Sequence, residues 1–461
     1  MSPPAAAQVL LDGPLPPLAR GLPLLGSVTE LSRHGMINFL MQEWKRLGDV
    51  FRIQLGPRTL VAVADPVGVE RILASHRENY VKGKTYDGMR VLTGQGLLTL
   101  EGESWLVRRK MEQPAFHRES IRKLTTSMVQ VTDSTLNRWR ARHPDGGVLE
   151  AHHAMLTLTL EVVGETLFGQ SFGEEHTTAA GQAFTDALAL LSARNNSSVN
   201  VPLAVPTPKN QRLKRALKTL DEMVFGIIAT ARAQKDGQAR PTLLSMLLDA
   251  KDPQGEGLTD SQLRNEVITL FLAGHETTAL LLTWGFTLLG RHPEVVEKMR
   301  QEVDTVLEGR LPTTEDVPRL TYLRQVVDEI LRLRSPTWAV ARDTVADDVL
   351  CGFKIRAGDV VLPASYLAHR HPKFWTDPDR FDPERFSPAQ SKGRNQWAYF
   401  PFSLGPRMCI GNVFSLVESQ IVLAMLLQRA EFELVPGPEA QPDAQMTLRP
   451  TEEVNVRFRW R

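Results

Sequence analysis

The stretch that decides the fold is Phe402-Ser403-Leu404-Gly405-Pro406-Arg407-Met408-Cys409-Ile410-Gly411. It places a sulfur donor, Cys409, after a tight turn and before an apolar pattern, from Val413 to Met425, that has the spacing of one helix face. Free backbone N–H groups and the positive end of the helix dipole stabilise a thiolate at a helix start and hold it ready for a metal. A lone cysteine is usually a small buried hydrophobic residue, so the argument depends on its neighbours.

The neighbours of Cys409 suit a flat, charged ligand. Gly405 and Gly411 let the backbone pass close to such a ligand, and Arg407 offers a planar set of donors to a carboxylate. Together with Phe402, these fixed positions resemble the haem-binding signature of the cytochrome P450 superfamily. The resemblance implies haem b, iron protoporphyrin IX, as cofactor and Cys409 as the axial ligand of its iron.

A second polar stretch, Ala273-Gly274-His275-Glu276-Thr277-Thr278, interrupts the most apolar run of the chain, residues 267–289. A capping box at Thr259 and Gln262 and a stop at Gly290 predict a helix of about 30 residues, roughly 45 Å long. The polar residues favour a buried core helix over a membrane span. A threonine there can bond to the carbonyl one turn earlier and bend the helix.

The zinc motif His-Glu-x-x-His does not fit this stretch, because Ala279 stands where its second histidine would be. The stretch resembles the distal helix of P450s. That resemblance implies that Glu276 and Thr277 supply protons during dioxygen activation. It also implies that Ala273 and Gly274 leave room for the oxygen.

Two charged motifs predict a buried network with a structural role. Glu329 and Arg332, three residues apart, share a helix face and alone would form a solvated pair worth a few tenths of a kcal/mol. Asp382-Pro383-Glu384-Arg385-Phe386 follows within a long irregular stretch, residues 372–400. Their order and spacing resemble the P450 pattern, which implies that Arg385 joins the pair and fixes the irregular stretch.

Further residues are candidates for binding the haem propionates. Trp105 and Arg109 match the family's Trp-x-x-x-Arg helix, and Arg407 precedes the candidate iron ligand. Arg342 is a third candidate arginine because it lies in the strand after the Glu329 helix. An exposed, solvated side chain is the simple alternative for any single arginine.

The remaining patterns predict a mainly α-helical fold with small β-sheets, the cytochrome P450 fold, in a single domain of residues 1–461. Helical patterns dominate from Trp105 to Leu333, and residues 82–104 are expected to be mostly loop. The predicted strands are residues 50–55, 59–63, 349–363, 446–448 and 454–458. We find no Gly/Ser linker or charge block that divides the sequence.

The charge balance and the cysteine content limit which classes of binding partner and which cellular compartment we expect for the protein. The chain has 54 Lys and Arg against 53 Asp and Glu, so no excess charge points to nucleic acid. Its two cysteines, Cys351 and Cys409, exclude a disulfide framework and favour the cytoplasm. The Pro-rich start, from Pro3 to Pro23, has neither a basic signal-peptide start nor the roughly 20 apolar residues of a transmembrane anchor.

The electrons are expected to come from a ferredoxin or flavodoxin with its reductase, because no stretch of the sequence resembles a flavin reductase. An acidic partner of this kind would dock on a basic face. The candidate basic residues are Lys110, His117, Arg118, Arg122, Lys123, Lys392 and Arg394.

The resemblance as a whole implies a monooxygenase that inserts one atom of O2 into an apolar small molecule. Residues 206–210 and 397–402 resemble P450s that act on fatty acids and terpenoids. By analogy, substrate contacts are expected from Ala273 and from residues 82–100, 337–340 and 447–448.

Two alternatives stay open. One is a peroxygenase that uses hydrogen peroxide directly, and Glu276-Thr277 argues against it because such P450s replace that pair. The other is a non-catalytic haem-binding sensor, which would not need the pair.

Overall fold

The computed structural model describes residues 13–169, 201–233 and 242–461, together with residues 183, 186, 187 and 190. Pro3 and Pro4 of the Pro-rich start lie outside these residues. The chain divides into two compact units. Unit 1 comprises Met1–Thr85, Asp328–Cys409 and Glu439–Glu452, and unit 2 comprises Tyr86–Val327, Ile410–Pro438 and Glu453–Arg461. The single domain inferred from the sequence stays a prediction.

Helices outnumber strands in the described residues, and the strands are short, as predicted. The helices are α1 (Val28–His34), α2 (Met36–Leu47), α3 (Pro66–Glu70), α4 (Asp87–Thr93), α5 (Gly102–Glu112), α6 (Arg118–Arg142), α7 (Ala151–Phe168), α8 (Pro208–Ala233), α9 (Leu243–Asp249), α10 (Asp260–Leu289), α11 (Pro293–Leu307), α12 (Thr321–Arg334), α13 (Ser365–Ala368), α14 (Pro388–Ser391) and α15 (Asn412–Arg429). The strands are β1 (Val50–Leu55), β2 (Arg58–Val63), β3 (Tyr80–Val81), β4 (Gly147–Glu150), β5 (Arg342–Thr344), β6 (Asp348–Leu350), β7 (Phe353–Ile355), β8 (Val360–Pro363), β9 (Ala430–Leu434), β10 (Pro442–Ala444), β11 (Leu448–Pro450) and β12 (Asn455–Trp460).

Unit 1 is built around a five-stranded sheet in the order β1-β2-β8-β5-β3. The predicted hairpin is confirmed, because β1 and β2 pair antiparallel with Val50 opposite Val63. β8 adds in parallel to β2, and β5 then pairs antiparallel with β8. Alternating apolar side chains of these strands pack on both faces of the sheet, for example Phe51 and Ile53 on the α2 side. The sheet therefore supplies the core of unit 1.

Unit 2 is built around α10, which packs against α7, α8 and α15. The predicted capping box is confirmed: Thr259 accepts from the backbone N–H of Gln262, and Gln262 accepts from the backbone N–H of Thr259. In the described residues α10 alone is long and apolar enough to cross a membrane, and 78% of its most apolar window is buried inside the protein. A buried core helix, as predicted, explains this composition.

Two predictions from the sequence need correction. Residues 82–104 are not mostly loop, since a 3-10 turn (Lys84–Tyr86), α4 and the start of α5 together take up 13 of these 23 positions. α4 has only seven residues and ends at Gly94, which has a positive φ of 57°, so too few residues share one face for periodicity to reveal it. Met446 and Thr447 lie in the turn between β10 and β11, and only Leu448 belongs to a strand.

Candidate active site

The segment Phe402–Gly411 forms a compact loop that presents Cys409. The Cys409 N–H donates to the Phe402 carbonyl oxygen at 2.9 Å, and the Met408 N–H donates to the Gly405 carbonyl oxygen at 3.0 Å. The Cys409 side chain is exposed and forms no disulfide. α15 begins at Asn412, so Cys409 precedes the first helical residue by three positions. The thiol is therefore held on an ordered loop and is accessible.

The two glycines of this loop differ in what they accommodate. Gly405 has a φ of 73°, and a Cβ there would collide with the carbonyl oxygen of Leu73. Its small size therefore serves the close approach of the protein's own backbone. A Cβ at Gly411 would meet no described atom within 4 Å, so the space beside that position is open. The close approach of both glycines to a ligand stays a prediction.

The predicted charged network is confirmed within unit 1. Arg332 donates to both carboxylate oxygens of Glu329, at 2.6 and 2.8 Å, and neither side chain is exposed. The Arg332 guanidinium also donates to backbone carbonyl oxygens of the irregular stretch, and Arg385 lies 3.5 Å from the Glu329 carboxylate. The Asp382 N–H donates to Glu329 at 2.8 Å. These charged side chains support residues 378–382, which belong to no helix or strand.

His369 joins this network to the Cys409 loop, and sequence reasoning missed it. Its carbonyl oxygen accepts from Arg332 at 2.9 Å, and its Nε2 accepts from the Phe400 N–H at 2.8 Å. Burial and then the Arg332 charge lower the pKa of His369 to about 3, so the imidazole is neutral. A lone histidine gives no periodic signal, and only its contacts reveal the link.

α10 has an open stripe along an otherwise buried helix. Leu270, Ala273, Gly274 and Thr277 are partly or fully exposed and follow the i, i+3, i+4, i+7 spacing of one face. The Thr277 hydroxyl donates to the Ala273 carbonyl oxygen at 2.6 Å, which is the back-bond that the sequence predicts. A Cβ at Gly274 would lie 3.1 Å from a Val163 methyl group, so this glycine also serves the packing of α7.

The polar residues beside the stripe are buried. Glu276 is 6% exposed, and the His275 carbonyl oxygen accepts from Thr159 on α7 at 2.9 Å. The Thr278 and Ser415 hydroxyl groups lie 3.1 Å apart and connect α10 to α15. Near them on α15, Glu418 is fully buried, and burial raises the pKa of its carboxyl well above the usual range. The sequence analysis did not identify Glu418.

The candidate propionate ligands occupy ordered elements. Trp105 is buried and Arg109 is half-buried on α5. Arg342 is only 5% exposed on β5, so it is not the solvated side chain of the simple alternative, and Arg407 is half-buried. Unit 1 contains Cys409, Arg342, Phe402, Gly405 and Arg407, whereas unit 2 contains Trp105, Arg109, Ala273, Gly274, Glu276, Thr277 and Gly411.

Most of the predicted basic residues are exposed, but Arg394 is an exception. Its guanidinium lies 4.3 Å from the centre of the Trp375 ring and donates to the Arg385 carbonyl oxygen. Arg394 therefore packs within unit 1, which corrects its assignment to a docking face. Arg122 pairs with Glu315 at 3.1 Å. The exposed members are Lys110, His117, Arg118, Arg122, Lys123 and Lys392.

Comparisons with known proteins agree with this geometry. The cytochrome P450 family model matches residues 16–458. The chain is 34% identical over 417 residues to cyclooctat-9-en-7-ol 5-monooxygenase of Streptomyces melanosporofaciens, covering 90% of this chain and 89% of that protein. It is 31% identical over 427 residues to pentalenene oxygenase of Streptomyces avermitilis, covering 93% of each. The haem domain of cytochrome P450DA has a TM-score of 0.87 at 27% identity, covering 97% of this chain and 98% of that one.

The chain therefore belongs to the cytochrome P450 family and has its fold of helices with several small sheets. It is an oxidoreductase of the monooxygenase class. Membership implies a haem-thiolate cofactor, apolar substrates and a supply of electrons from redox partners.

Proposed function

We propose that this protein hydroxylates an apolar terpenoid-type substrate at a haem b whose iron is ligated by Cys409. The observation that carries the proposal is the ordered loop with its exposed thiol. The room at Gly411 and the open stripe of α10 also fit a large planar cofactor. Arg109, Arg342 and Arg407 would bind the propionates, since buried or half-buried cations are suited to carboxylates, and Trp105 would donate its indole N–H to them. When bound, the haem supplies reductive activation of dioxygen.

The protein's own contribution to the reaction is proton delivery at the open stripe. The Thr277 hydroxyl has its proton bonded to the Ala273 carbonyl oxygen, and its own oxygen keeps lone pairs that can accept from water. Releasing that back-bond would let the same hydroxyl donate. Glu276, the neighbouring acid, would resupply protons through water.

The names of two relatives support the substrate class. Cyclooctat-9-en-7-ol and pentalenene, for which they are named, are carbocycles with at most one hydroxyl group. The exposed positions of the stripe before Thr277 are Leu270, Ala273 and Gly274, which offer an apolar surface and no charge. Fatty acids are the second substrate class that these features allow.

The electron source is proposed to be a separate ferredoxin or flavodoxin with its reductase, in the cytoplasm. The exposed cations Lys110 and Lys123 support an acidic partner, because complementary charge steers association. The buried position of α10 is consistent with a protein that acts outside the bilayer.

The proposal for the iron ligand is tested by exchanging each cysteine. We expect Cys409→Ala to abolish the red-shifted Soret band of the reduced carbon monoxide complex, because no thiolate remains to ligate the iron. Cys351→Ala, in the turn between β6 and β7, is the matched control and should keep the band. The opposite result, with the band lost in Cys351→Ala alone, would make the assignment wrong.

The substrate proposal is tested with a panel of terpenoid hydrocarbons, terpenoid alcohols, fatty acids and macrolides. A substrate that displaces water from the iron shifts the haem from low to high spin, which is measured in the absorbance spectrum. We expect the largest shifts and product formation with carbocyclic terpenoids. High-spin shifts limited to macrolides would contradict the proposed class.

A further inference from the structure

A buried charged cluster lies in unit 2, outside the residues assigned above. It consists of Glu112 and Arg108 on α5 and Glu266 on α10, which are 0%, 6% and 0% exposed. Burying three ionisable side chains costs free energy unless their charges and hydrogen bonds are compensated. The three side chains must therefore be compensated by one another or by neighbouring groups.

Glu266 connects the cluster to the segment Gly94–Leu100. One carboxylate oxygen of Glu266 accepts from the Arg108 guanidinium, and the other accepts from the Leu97 N–H at 2.8 Å. Leu97 belongs to the stretch 82–100, which is expected to contact the substrate by analogy with other P450s. Glu266 is thus the charged contact that attaches this segment to α10.

The same segment lies directly against α10 through its glycines. A Cβ at Gly94 would collide with the Asn265 side chain, and a Cβ at Gly96 would collide with the Thr269 hydroxyl. The close approach brings the Leu97 amide within reach of Glu266. A change at the Glu266 carboxylate should therefore shift the whole segment Gly94–Leu100.

The cluster holds two carboxyl groups but only one buried cation. Burial and then the negative charge of Glu266 raise the pKa of Glu112 well above its usual range, against the opposing charges of Arg108 and Arg109. Neither oxygen of Glu112 accepts a hydrogen bond from the part of the chain that the structure describes. Burial raises the pKa of Glu266 too, but Leu97 and Arg108 oppose that rise. Of the two carboxyl groups, Glu112 is therefore the one that keeps its proton.

We propose that Glu266 is a positioning residue that fixes the segment Gly94–Leu100 on α10 through the Leu97 amide, and that Arg108 on α5 holds its carboxylate in place. With Glu112 neutral, Arg108 and Glu266 form a balanced pair, and the second oxygen of Glu266 stays committed to the Leu97 amide. An ionised Glu112 would compete for Arg108 and repel Glu266. The substrate contact of the segment rests on the proposed function, whereas its attachment to α10 does not.

The attachment is tested by amide hydrogen exchange of the haem-loaded protein, resolved at Leu97 by mass spectrometry. We expect Leu97 to be protected in the wild type and to exchange about tenfold faster in Glu266→Gln, because a charged hydrogen bond is lost. Glu112→Gln should exchange like the wild type, since glutamine keeps the neutral charge. Glu103→Gln, an exposed change on α5, is the matched control.

Amides of β12 report whether each variant is folded as a whole. If Glu266→Gln does not fold, the exchange rate of the Leu97 amide in the wild type and in Glu112→Gln still tests the proposal. An unprotected Leu97 in the wild type would overturn the proposal, and so would a tenfold faster exchange in Glu112→Gln. An unchanged Leu97 in a folded Glu266→Gln would overturn it as well.

The substrate contact is tested separately with 4-phenylimidazole and imidazole, which bind haem iron with and without an apolar arm. The affinity for 4-phenylimidazole divided by the affinity for imidazole, both from absorbance titrations, should fall about tenfold in Glu266→Gln. The same ratio should stay constant in Glu112→Gln. If Leu97 exchanges faster in Glu266→Gln but the affinity ratio is unchanged, the segment does not make the expected substrate contact. That result would leave the attachment of the segment to α10 standing.

Discussion

Thr277 is the residue on which efficient use of electrons is expected to depend. Thr277→Ala removes the hydroxyl at the open stripe without touching Cys409, so haem and substrate should still bind. Product formed per reductant oxidised should fall about tenfold or more, with a matching rise in hydrogen peroxide, because protons are delivered less well. Both quantities are measured on one accepted substrate.

The matched control is Thr283→Ala. Thr283 lies on the same helix, is fully buried and makes the same kind of back-bond, to Ala279 at 2.7 Å. This variant should keep the wild-type coupling. If product formed per reductant oxidised is equal in the wild type and in Thr277→Ala, another group delivers the protons. Thr278 would then be tested next.

Glu418 is expected to make the protein less stable as the pH rises. Its raised pKa means that the folded protein keeps the carboxyl protonated, while the unfolded chain ionises it above about 4.5. Stability is therefore full below that pH and falls by about 1.4 kcal/mol per pH unit until the folded-state pKa is reached. Glu418→Gln should flatten this fall above pH 5 in guanidinium unfolding. An unchanged slope would show that Glu418 ionises alike in both states.

At the scale of elements, the network that supports the irregular stretch is expected to control haem loading. Glu329→Ala leaves the buried Arg332 guanidinium without its carboxylate, which should cost about 3 to 5 kcal/mol of unfolding free energy. His369 carries the disturbance to Phe400, whose carbonyl oxygen accepts from the N–H of Ser403 in the Cys409 loop. The measurements are unfolding free energy and haem per polypeptide.

Asp379→Ala is the control for this network. Asp379 pairs with Arg370 at 3.2 Å but is 76% exposed, so its loss should cost at most about 1 kcal/mol and spare haem loading. A Glu329→Ala protein with full haem content and wild-type stability would make the structural role of Glu329 wrong.

The elements also show what the sequence can and cannot predict. The α10 capping box and the β1–β2 hairpin were predictable because their signals are local, within a few residues. The Cys409 loop and the Glu329 network were recognisable because several fixed residues recur in a known order. The contact of Arg108 with Glu266 joins residues 158 positions apart, and no local pattern encodes it. His369 and Glu418 were missed because burial, which only tertiary packing creates, gives them their roles.

For the molecule as a whole, the exposed lysines of unit 2 predict salt-dependent association with the redox partner. Lys110→Glu combined with Lys123→Glu should raise the KM for a ferredoxin roughly threefold to tenfold at low salt and weaken its salt dependence. The turnover number at saturation should change little. Lys214→Glu, at an exposed position of α8, is the control for a lysine-to-glutamate change outside the proposed face. Equal KM values for both variants would place the docking face elsewhere.

The three-stranded sheet of unit 2 has an order, β4-β12-β9, that bears on how the chain is made. The middle strand, Asn455–Trp460, is translated about 300 residues after β4, which pairs with it. At about 5 to 20 residues per second, β4 leaves the ribosome some 15 to 60 seconds before its neighbour exists. During that interval the edge of β4 is open to other chains, so Gly147–Glu150 is a segment that a chaperone acting on the nascent chain would need to cover.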